Sequence, residues 1–339
     1  MLTHAGILLL SFAVILVGSE LFTNGVEWVG QRLQIAEAAV GSLLAAVGTA
    51  LPETLIPAVA LLLDHKHSQA HQAVGIGAII GAPLMLSTLA LFVMGSAAIL
   101  FRKRRKQIAL QVARTDARRD LAFFVPIFLS MILLGLGSVN PLARHAIALV
   151  LLAVYAAYAM LMLRLKRAEN AQPGHGLYLA SLFRRAPLTP RMLLILLQVA
   201  LGAGAIVAGA IEFVNQIVIF SHHANLNPGV LSLILSPLAT ELPEKYNSVV
   251  WIRQRKDHLA LANITGAMVF QSCIPVALGL AFTPWRLSPP DLLAGAIGLS
   301  SAALLFINVR DGELGTPTML IGGLGYAIFL GGLMVLGVV

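Results

Sequence analysis

Two short segments decide the fold of this chain: Gly48–Glu53 reads GTALPE, and Ala239–Glu244 reads ATELPE. Both segments share the pattern T-x-L-P-E, and both stand inside long apolar stretches. At the same spacing, Phe22 corresponds to Phe213. A chance recurrence of such a pattern at matching places is improbable, so the sequence contains an internal repeat.

The repeat continues after each T-x-L-P-E segment. Following a loop of different length, Ile79–Ala82 corresponds to Ile264–Ala267, which pairs Gly81 with Gly266. Each copy of the repeat therefore covers more than one apolar stretch.

The composition is that of a polytopic membrane protein. The chain has 339 residues, of which 58% are hydrophobic and 11% charged, and its mean hydropathy is +0.87. A soluble domain carries about 25% charged residues. The single cysteine, Cys273, excludes a disulfide framework and a zinc site built on several thiolates.

The apolar stretches predict an all-α fold with ten transmembrane helices, because a helix needs roughly 20 apolar residues to cross a bilayer. The predicted spans are 5–27, 36–63, 72–100, 121–138, 143–164, 191–220, 227–252, 258–282, 288–308 and 317–338. We expect a first five-helix repeat over 1–165, a cytoplasmic linker over 166–190, and a second five-helix repeat over 191–339.

The basic residues predict the orientation. Odd-numbered loops hold 19 of the 23 Lys and Arg residues, whereas even-numbered loops hold only Lys66, Arg144 and Arg286, and Lys245 lies inside a span. The positive-inside rule then places the odd loops in the cytoplasm and both termini outside, in a plasma (cell inner) membrane. This distribution accounts for the formal net charge of +8 without a nucleic-acid partner.

The two copies of the repeat are predicted to lie in opposite orientations. The first copy occupies spans 1–3 and the second spans 6–8, so equivalent spans are offset by five, which is an odd number. Inverted repeats with broken helices near the membrane centre are typical of secondary transporters, which bind their substrate where the repeats meet.

Proline predicts a break in helices 2 and 7. Pro52 and Pro243 have no N–H, so the carbonyls of Gly48 and Ala239 lose their helical donors. At bilayer depth a freed carbonyl needs another partner, which can be protein, water or a cation.

Each T-x-L-P-E segment also carries a hydroxyl and a carboxylate on one helical face. Thr49 lies four residues before Glu53, and Thr240 lies four residues before Glu244. Two such faces meeting across a pseudo-two-fold axis form a cage of oxygens, which suits Ca²⁺. The alternative is a pair of protonated, hydrogen-bonded glutamates beside simple proline kinks. Carboxylates at mid-membrane are costly, which favours cation binding.

These segments resemble the membrane region of the Ca²⁺/cation antiporter superfamily, the sodium/calcium exchangers and their prokaryotic relatives. The resemblance rests on 18–25 with 48–53 and on 212–215 with 240–244, and with the ten spans it covers essentially the whole chain. It implies that two glutamates bind Ca²⁺ near the membrane centre, assisted by two threonine hydroxyls and two backbone carbonyls. These candidate ligands are Glu53, Glu244, Thr49, Thr240, Gly48 and Ala239.

The chain departs from the family pattern on the following helices. Where the family has G-S-N-x-x-[ND], residues 81–86 read GAPLML and 266–271 read GAMVFQ. Of these positions only Gln271 keeps a polar ligand, and Asn263 lies one turn before them. The missing oxygens typically complete Na⁺ sites. A site rich in carboxylates suits proton coupling, because burial favours the protonated form.

Charged residues beside the site leave alternatives open. Glu241 adds a third candidate carboxylate, and Lys245 follows it by four residues, which favours an ion pair. Lys245 could instead act as a tethered surrogate cation. Glu20 and Glu212 lie on the spans that gate the family, either on the ion path or in hydrogen-bonded positions near a water-filled entrance.

The sequence thus predicts a secondary transporter rather than an enzyme, exchanging Ca²⁺ or another divalent cation for Na⁺ or H⁺. We expect no cofactor, inorganic cations and membrane lipid as partners, and a monomer or homodimer. The alternatives are a monovalent cation/proton exchanger of the same fold and a non-transporting membrane scaffold.

Overall fold

The computed structural model describes residues 2–32, 45–62, 68–165, 176–181, 191–309 and 312–338. Apart from one pair of two-residue strands, the regular structure of these residues is helical. The helices are α1 Leu2–Arg32, α2 Ala45–Leu62, α3 Gln69–Met85, α4 Leu91–Leu100, α5 Arg102–Arg105, α6 Arg114–Leu134, α7 Pro141–Leu165, α8 Tyr178–Ser181, α9 Met192–Ala224, α10 Pro228–Thr240, α11 Leu242–Arg253, α12 Asp257–Phe282, α13 Pro289–Asn308 and α14 Thr316–Val335. A π-helical turn, Leu86–Ala90, joins α3 to α4, so that helical structure runs unbroken from Gln69 to Leu100.

Seven helical stretches in the described part of the chain are long and apolar enough to cross a membrane. They are Thr3–Arg32, Gln69–Leu100, Pro141–Met162, Met192–Ala224, Asp257–Phe282, Pro289–Asn308 and Thr316–Val335. The shorter apolar helices Pro52–Leu62 and Pro228–Thr240 lie at two further predicted spans. The predicted span 121–138 corresponds to α6, which begins earlier and carries charged residues in its first turns. The structure is therefore that of an all-α polytopic membrane protein.

The two repeated prolines have different effects on their helices. The second copy is interrupted as predicted, since α10 ends at Thr240 and α11 begins at Leu242. In the first copy, α2 continues through Pro52 and Pro57, so the predicted break in helix 2 is wrong for the described residues. A proline removes one backbone hydrogen bond, and a membrane helix tolerates that loss when neighbouring groups satisfy the freed carbonyl.

Packing connects the two halves of the chain through helix pairs. α1 lies along α9, α3 lies along α10, and α2 packs on α12. Glycine allows the closest approach between α3 and α10: a Cβ at Gly77 would lie 2.2 Å from the carbonyl oxygen of Gly229. A Cβ at Gly81 would lie 2.2 Å from the carbonyl oxygen of Leu233. Small residues at helix interfaces are typical of membrane bundles.

A polar junction fixes the segment between α4 and α6. The side chains of Arg105 and Asp257 form a buried ion pair, and Asp257 also accepts the backbone N–H of Gln111 at 3.0 Å. Beside them, the strands β1 (Leu110–Gln111) and β2 (Glu313–Leu314) pair antiparallel. The junction thereby ties the start of α12 to two connecting segments.

Candidate cation site

The interruption between α10 and α11 places two carboxylates at a helix N-terminus. Glu241 is the single residue between the helices, with φ −94° and ψ 7°, and Glu244 lies in the first turn of α11. Because Pro243 cannot donate a hydrogen bond, the carbonyl of Ala239 has no helical donor there. The N-terminal end of a helix dipole stabilises negative charge, so this junction is suited to hold buried carboxylates.

Glu53 reaches the same region from the first half of the chain. Its Oε2 accepts a hydrogen bond of 2.7 Å from Nε2 of Gln271 on α12. Both side chains are buried, Glu53 with 6% and Gln271 with 0% of its surface exposed. This contact joins residues 218 positions apart in the sequence, so the two halves meet at this point.

Glu241 forms an ion pair with Lys245. Nζ of Lys245 lies 3.0 Å from Oε2 of Glu241, and both side chains are buried. The i,i+4 spacing predicted this contact. Glu53 and Glu244 lie within electrostatic range of each other and of Lys245. Three carboxylates and one ammonium group therefore occupy one buried cluster.

Several oxygens of this cluster are buried without a hydrogen-bond donor. They are Oε1 of Glu53, Oε1 of Glu241, Oε2 of Glu244 and Oε1 of Gln271. Buried polar atoms in proteins are normally satisfied, and carboxylate and amide oxygens are the ligands that Ca²⁺ prefers. Within the described residues, no three His, Cys, Asp or Glu side chains stand close enough to hold a metal ion together. A cation bound here would therefore draw on amide, hydroxyl or carbonyl oxygens as well as carboxylates.

Two of the remaining predicted ligands, Thr240 and Asn263, have described contacts. Thr240 is buried and its hydroxyl donates to the Ser236 carbonyl at 3.2 Å, which leaves its oxygen able to accept or coordinate. Asn263 donates from Nδ2 to the backbone carbonyl of Glu244 at 3.4 Å. Gly48 and Thr49 lie near the start of α2, and their side-chain environment falls outside the described part of the structure.

Glu20 on α1 and Glu212 on α9 have hydrogen-bond partners of their own. Oε1 of Glu20 accepts the Tyr178 hydroxyl at 2.7 Å, and Glu20 is exposed. Oε1 of Glu212 accepts Nε2 of Gln216 at 2.6 Å. No described contact connects either residue with the Glu53 cluster, and their place on an ion path stays a prediction.

Asp120 is among the buried carboxylates that were not anticipated from the sequence. Asp120 accepts the Tyr158 hydroxyl at 2.9 Å and the Thr265 hydroxyl at 2.6 Å, and thereby joins α6, α7 and α12. It lies immediately before the predicted span 121–138 and so would have been assigned to a loop. In the sequence, Asp120 is recognisable only as an acidic residue next to an apolar stretch.

The arrangement of two matching halves agrees with a known family. The family model described as "Sodium/calcium exchanger protein" matches the chain twice, over residues 3–164 and 194–335. The chain belongs to this exchanger family. The two matches together cover most of the sequence, including both T-x-L-P-E segments.

Individual relatives are distant, but they cover the chain well. The protein named "Putative antiporter CaxA" from Alkalimonas amylolytica is 24% identical over 317 residues, which is 93% of this chain and 92% of the relative. Sodium/potassium/calcium exchanger 1 from Gallus gallus is 28% identical over 157 residues, covering 46% of this chain and 21% of its own length.

Solved structures share the fold of this family member. The crystal structure of the H⁺/Ca²⁺ exchanger CAX aligns with a TM-score of 0.76 at 18% identity, covering 98% of this chain and 82% of CAX. The sodium-calcium exchanger NCX_Mj aligns with a TM-score of 0.60 at 17% identity, covering 97% and 98% of the two chains. At these identities the likeness concerns the fold. The family match, together with the shared fold, identifies the chain as a membrane cation antiporter.

Proposed function

We propose that the chain exchanges Ca²⁺, or another divalent cation, for Na⁺ or H⁺ by alternating access. The site lies between the two T-x-L-P-E segments, at the centre of ten spans arranged as two inverted five-helix repeats. The observation that carries this proposal is the buried hydrogen bond between Glu53 and Gln271 from opposite halves, within electrostatic range of Glu244, where several oxygens lack donors.

In this proposal Glu53 and Glu244 are the principal ligands of the transported cation. The carbonyls of Gly48 and Ala239 and the hydroxyls of Thr49 and Thr240 supply neutral oxygens around them. Hard divalent cations require six to eight such oxygens at about 2.3–2.6 Å for Ca²⁺. Gln271 orients Glu53 through its amide and offers its own Oε1 toward the cation.

The family comparisons support two related halves and leave the coupling ion open. The family model matches once in each half of the chain, over 3–164 and 194–335. Among proteins with the same fold, CAX is described as an H⁺/Ca²⁺ exchanger and NCX_Mj as a sodium-calcium exchanger. We place the protein in the plasma membrane, with both termini outside, because of its basic odd-numbered loops.

Flux into proteoliposomes tests the proposal. Purified protein is reconstituted, and ⁴⁵Ca²⁺ uptake is measured against an outward Na⁺ gradient and, separately, against an outward H⁺ gradient. We expect one of the gradients to drive uptake. Glu53→Gln and Glu244→Gln should each reduce the uptake by about 100-fold or more, because removing one member of a buried charged set costs about 3–5 kcal/mol.

A matched control uses an acidic residue outside the cluster. Glu313 on β2 is exposed and hydrogen-bonds Gln111, so Glu313→Gln should retain uptake. Absence of Ca²⁺ uptake under both gradients, with folded and inserted wild-type protein, would contradict divalent exchange. The same vesicles would then be assayed for Na⁺/H⁺ exchange, which distinguishes a monovalent exchanger from a non-transporting scaffold.

A further inference from the structure

The buried pair of Glu241 and Lys245 sets the charge of the candidate site. Lys245 is only 6% exposed and Glu241 is fully buried, with 3.0 Å between Nζ and Oε2. Bringing two charges out of water is expensive, and a buried lysine needs a close partner to compensate. Glu241 is that partner among the described residues, and the rest of the lysine's electrostatic environment is acidic as well, in Glu53 and Glu244.

Two further carboxylates lie within electrostatic range of this pair. Glu53 approaches from α2, Glu244 stands in the first turn of α11, and Tyr326 of α14 lies within electrostatic range of Glu241. Gln271 of α12 contributes a neutral amide. With the three glutamates ionised and the lysine charged, the cluster carries two net negative charges, which is the charge of the Glu53 and Glu244 pair alone.

We propose that Lys245 is a resident monovalent cation that neutralises Glu241, so the site exchanges one divalent cation for two monovalent cations without net charge movement. This inference rests on the proposed function. The cluster is then electrically neutral both with the divalent cation and with two Na⁺ or two H⁺. A neutral cluster is the least costly to enclose at low dielectric. Glu241 is withdrawn from the ligand set, in agreement with its contact to Lys245.

Equilibrium accumulation measures the charge moved in each cycle. Proteoliposomes contain equal Na⁺ and strongly buffered equal pH on both sides, and valinomycin with a K⁺ gradient sets the membrane potential. The ⁴⁵Ca²⁺ ratio across the membrane is then read at zero and at about 100 mV. One uncompensated charge per cycle changes this ratio by about 50-fold per 100 mV, since moving one charge is worth about 2.3 kcal/mol. We expect the wild-type ratio to remain unchanged.

Two variants separate the charge of Lys245 from its packing. Lys245→Met keeps the length of the side chain but leaves Glu241 unpaired, so the cluster gains a negative charge. We expect the added negative charge to bring a third monovalent cation into the cycle, so that each exchange moves one net charge and the Ca²⁺ ratio becomes dependent on the potential, or the uptake to fall by at least about tenfold through the buried unpaired charge. The double variant Glu241→Gln/Lys245→Met restores the original net charge and should again exchange Ca²⁺ independently of the potential.

The outcomes distinguish this inference from the proposed function. A wild-type ratio that shifts by about 50-fold per 100 mV overturns the electroneutral exchange while leaving Ca²⁺ transport intact. A Lys245→Met variant that keeps wild-type rate and potential independence overturns the role of the lysine. Absence of flux in the wild type overturns the proposed function and this inference together.

Discussion

Replacing Gly81 by alanine should force helices α3 and α10 apart. The added Cβ would lie 2.2 Å from the carbonyl oxygen of Leu233 and 2.8 Å from Cγ of Pro237. A backbone oxygen cannot rotate away as a flexible side chain can. Contacts of Cβ below 3.0 Å essentially never occur, so the helices must separate by about 0.8 Å, the difference between 2.2 and 3.0 Å.

The repeat supplies a matched control for this variant. Gly266 corresponds to Gly81 in the second copy, yet a Cβ there would meet no atom within 4 Å. Overpacking a tight interface costs about 1–3 kcal/mol. Alanine in an open helical position instead gains up to ~1 kcal/mol over glycine through its higher helix propensity. The same substitution should therefore have opposite effects at the two related positions.

Unfolding of the purified protein in mixed micelles with increasing SDS measures this difference. We expect Gly81→Ala to lower the free energy of unfolding by about 1–3 kcal/mol and Gly266→Ala to leave it unchanged or raise it. The displaced α10 carries Thr240, so Gly81→Ala should also slow ⁴⁵Ca²⁺ uptake. Equal stability of the two variants would refute the close approach of α3 and α10.

Three further outcomes follow from single contacts. Arg105→Leu should destabilise the protein by about 3–5 kcal/mol in the same unfolding assay, because it leaves Asp257 as an unpaired buried charge; an unchanged stability would contradict that contact. Burial and the neighbouring Glu20 raise the pKa of Tyr178 to about 12, so its hydroxyl remains a donor below that pH. Tyr178→Phe should accordingly leave the shape of the pH profile of uptake between about pH 6 and 9 unchanged, and a shifted profile would count against this assignment. Cys273 is fully buried, so native protein should resist maleimide labelling that proceeds after denaturation; rapid native labelling would contradict its position.

Local chemistry explains why part of the site could be predicted. Pro243 removes a helical hydrogen bond beside the interruption at Glu241, and the contact between Glu241 and Lys245 follows from helical spacing. Both depend on residues within one turn of each other. The family itself was recognisable because the same segment occurs twice in one chain.

Features that depend on tertiary packing were not predictable in the same way. α2 continues through Pro52 although α10 ends three residues before Pro243, and the two prolines stand in equivalent sequence contexts. Likewise, Gly81 and Gly266 correspond in sequence, but only Gly81 faces a neighbouring backbone. Asp120 owes its buried position to hydroxyl donors from two distant helices, which no local pattern reveals.

Equilibrium binding of ⁴⁵Ca²⁺ to the purified protein tests most directly whether both halves form one cation site. We expect one Ca²⁺ per chain, with affinity reduced by about 100-fold or more in Glu53→Gln and equally in Glu244→Gln. Glu313→Gln should bind as the wild type does. Unaltered binding in either Glu53→Gln or Glu244→Gln would contradict a site shared between the two repeats.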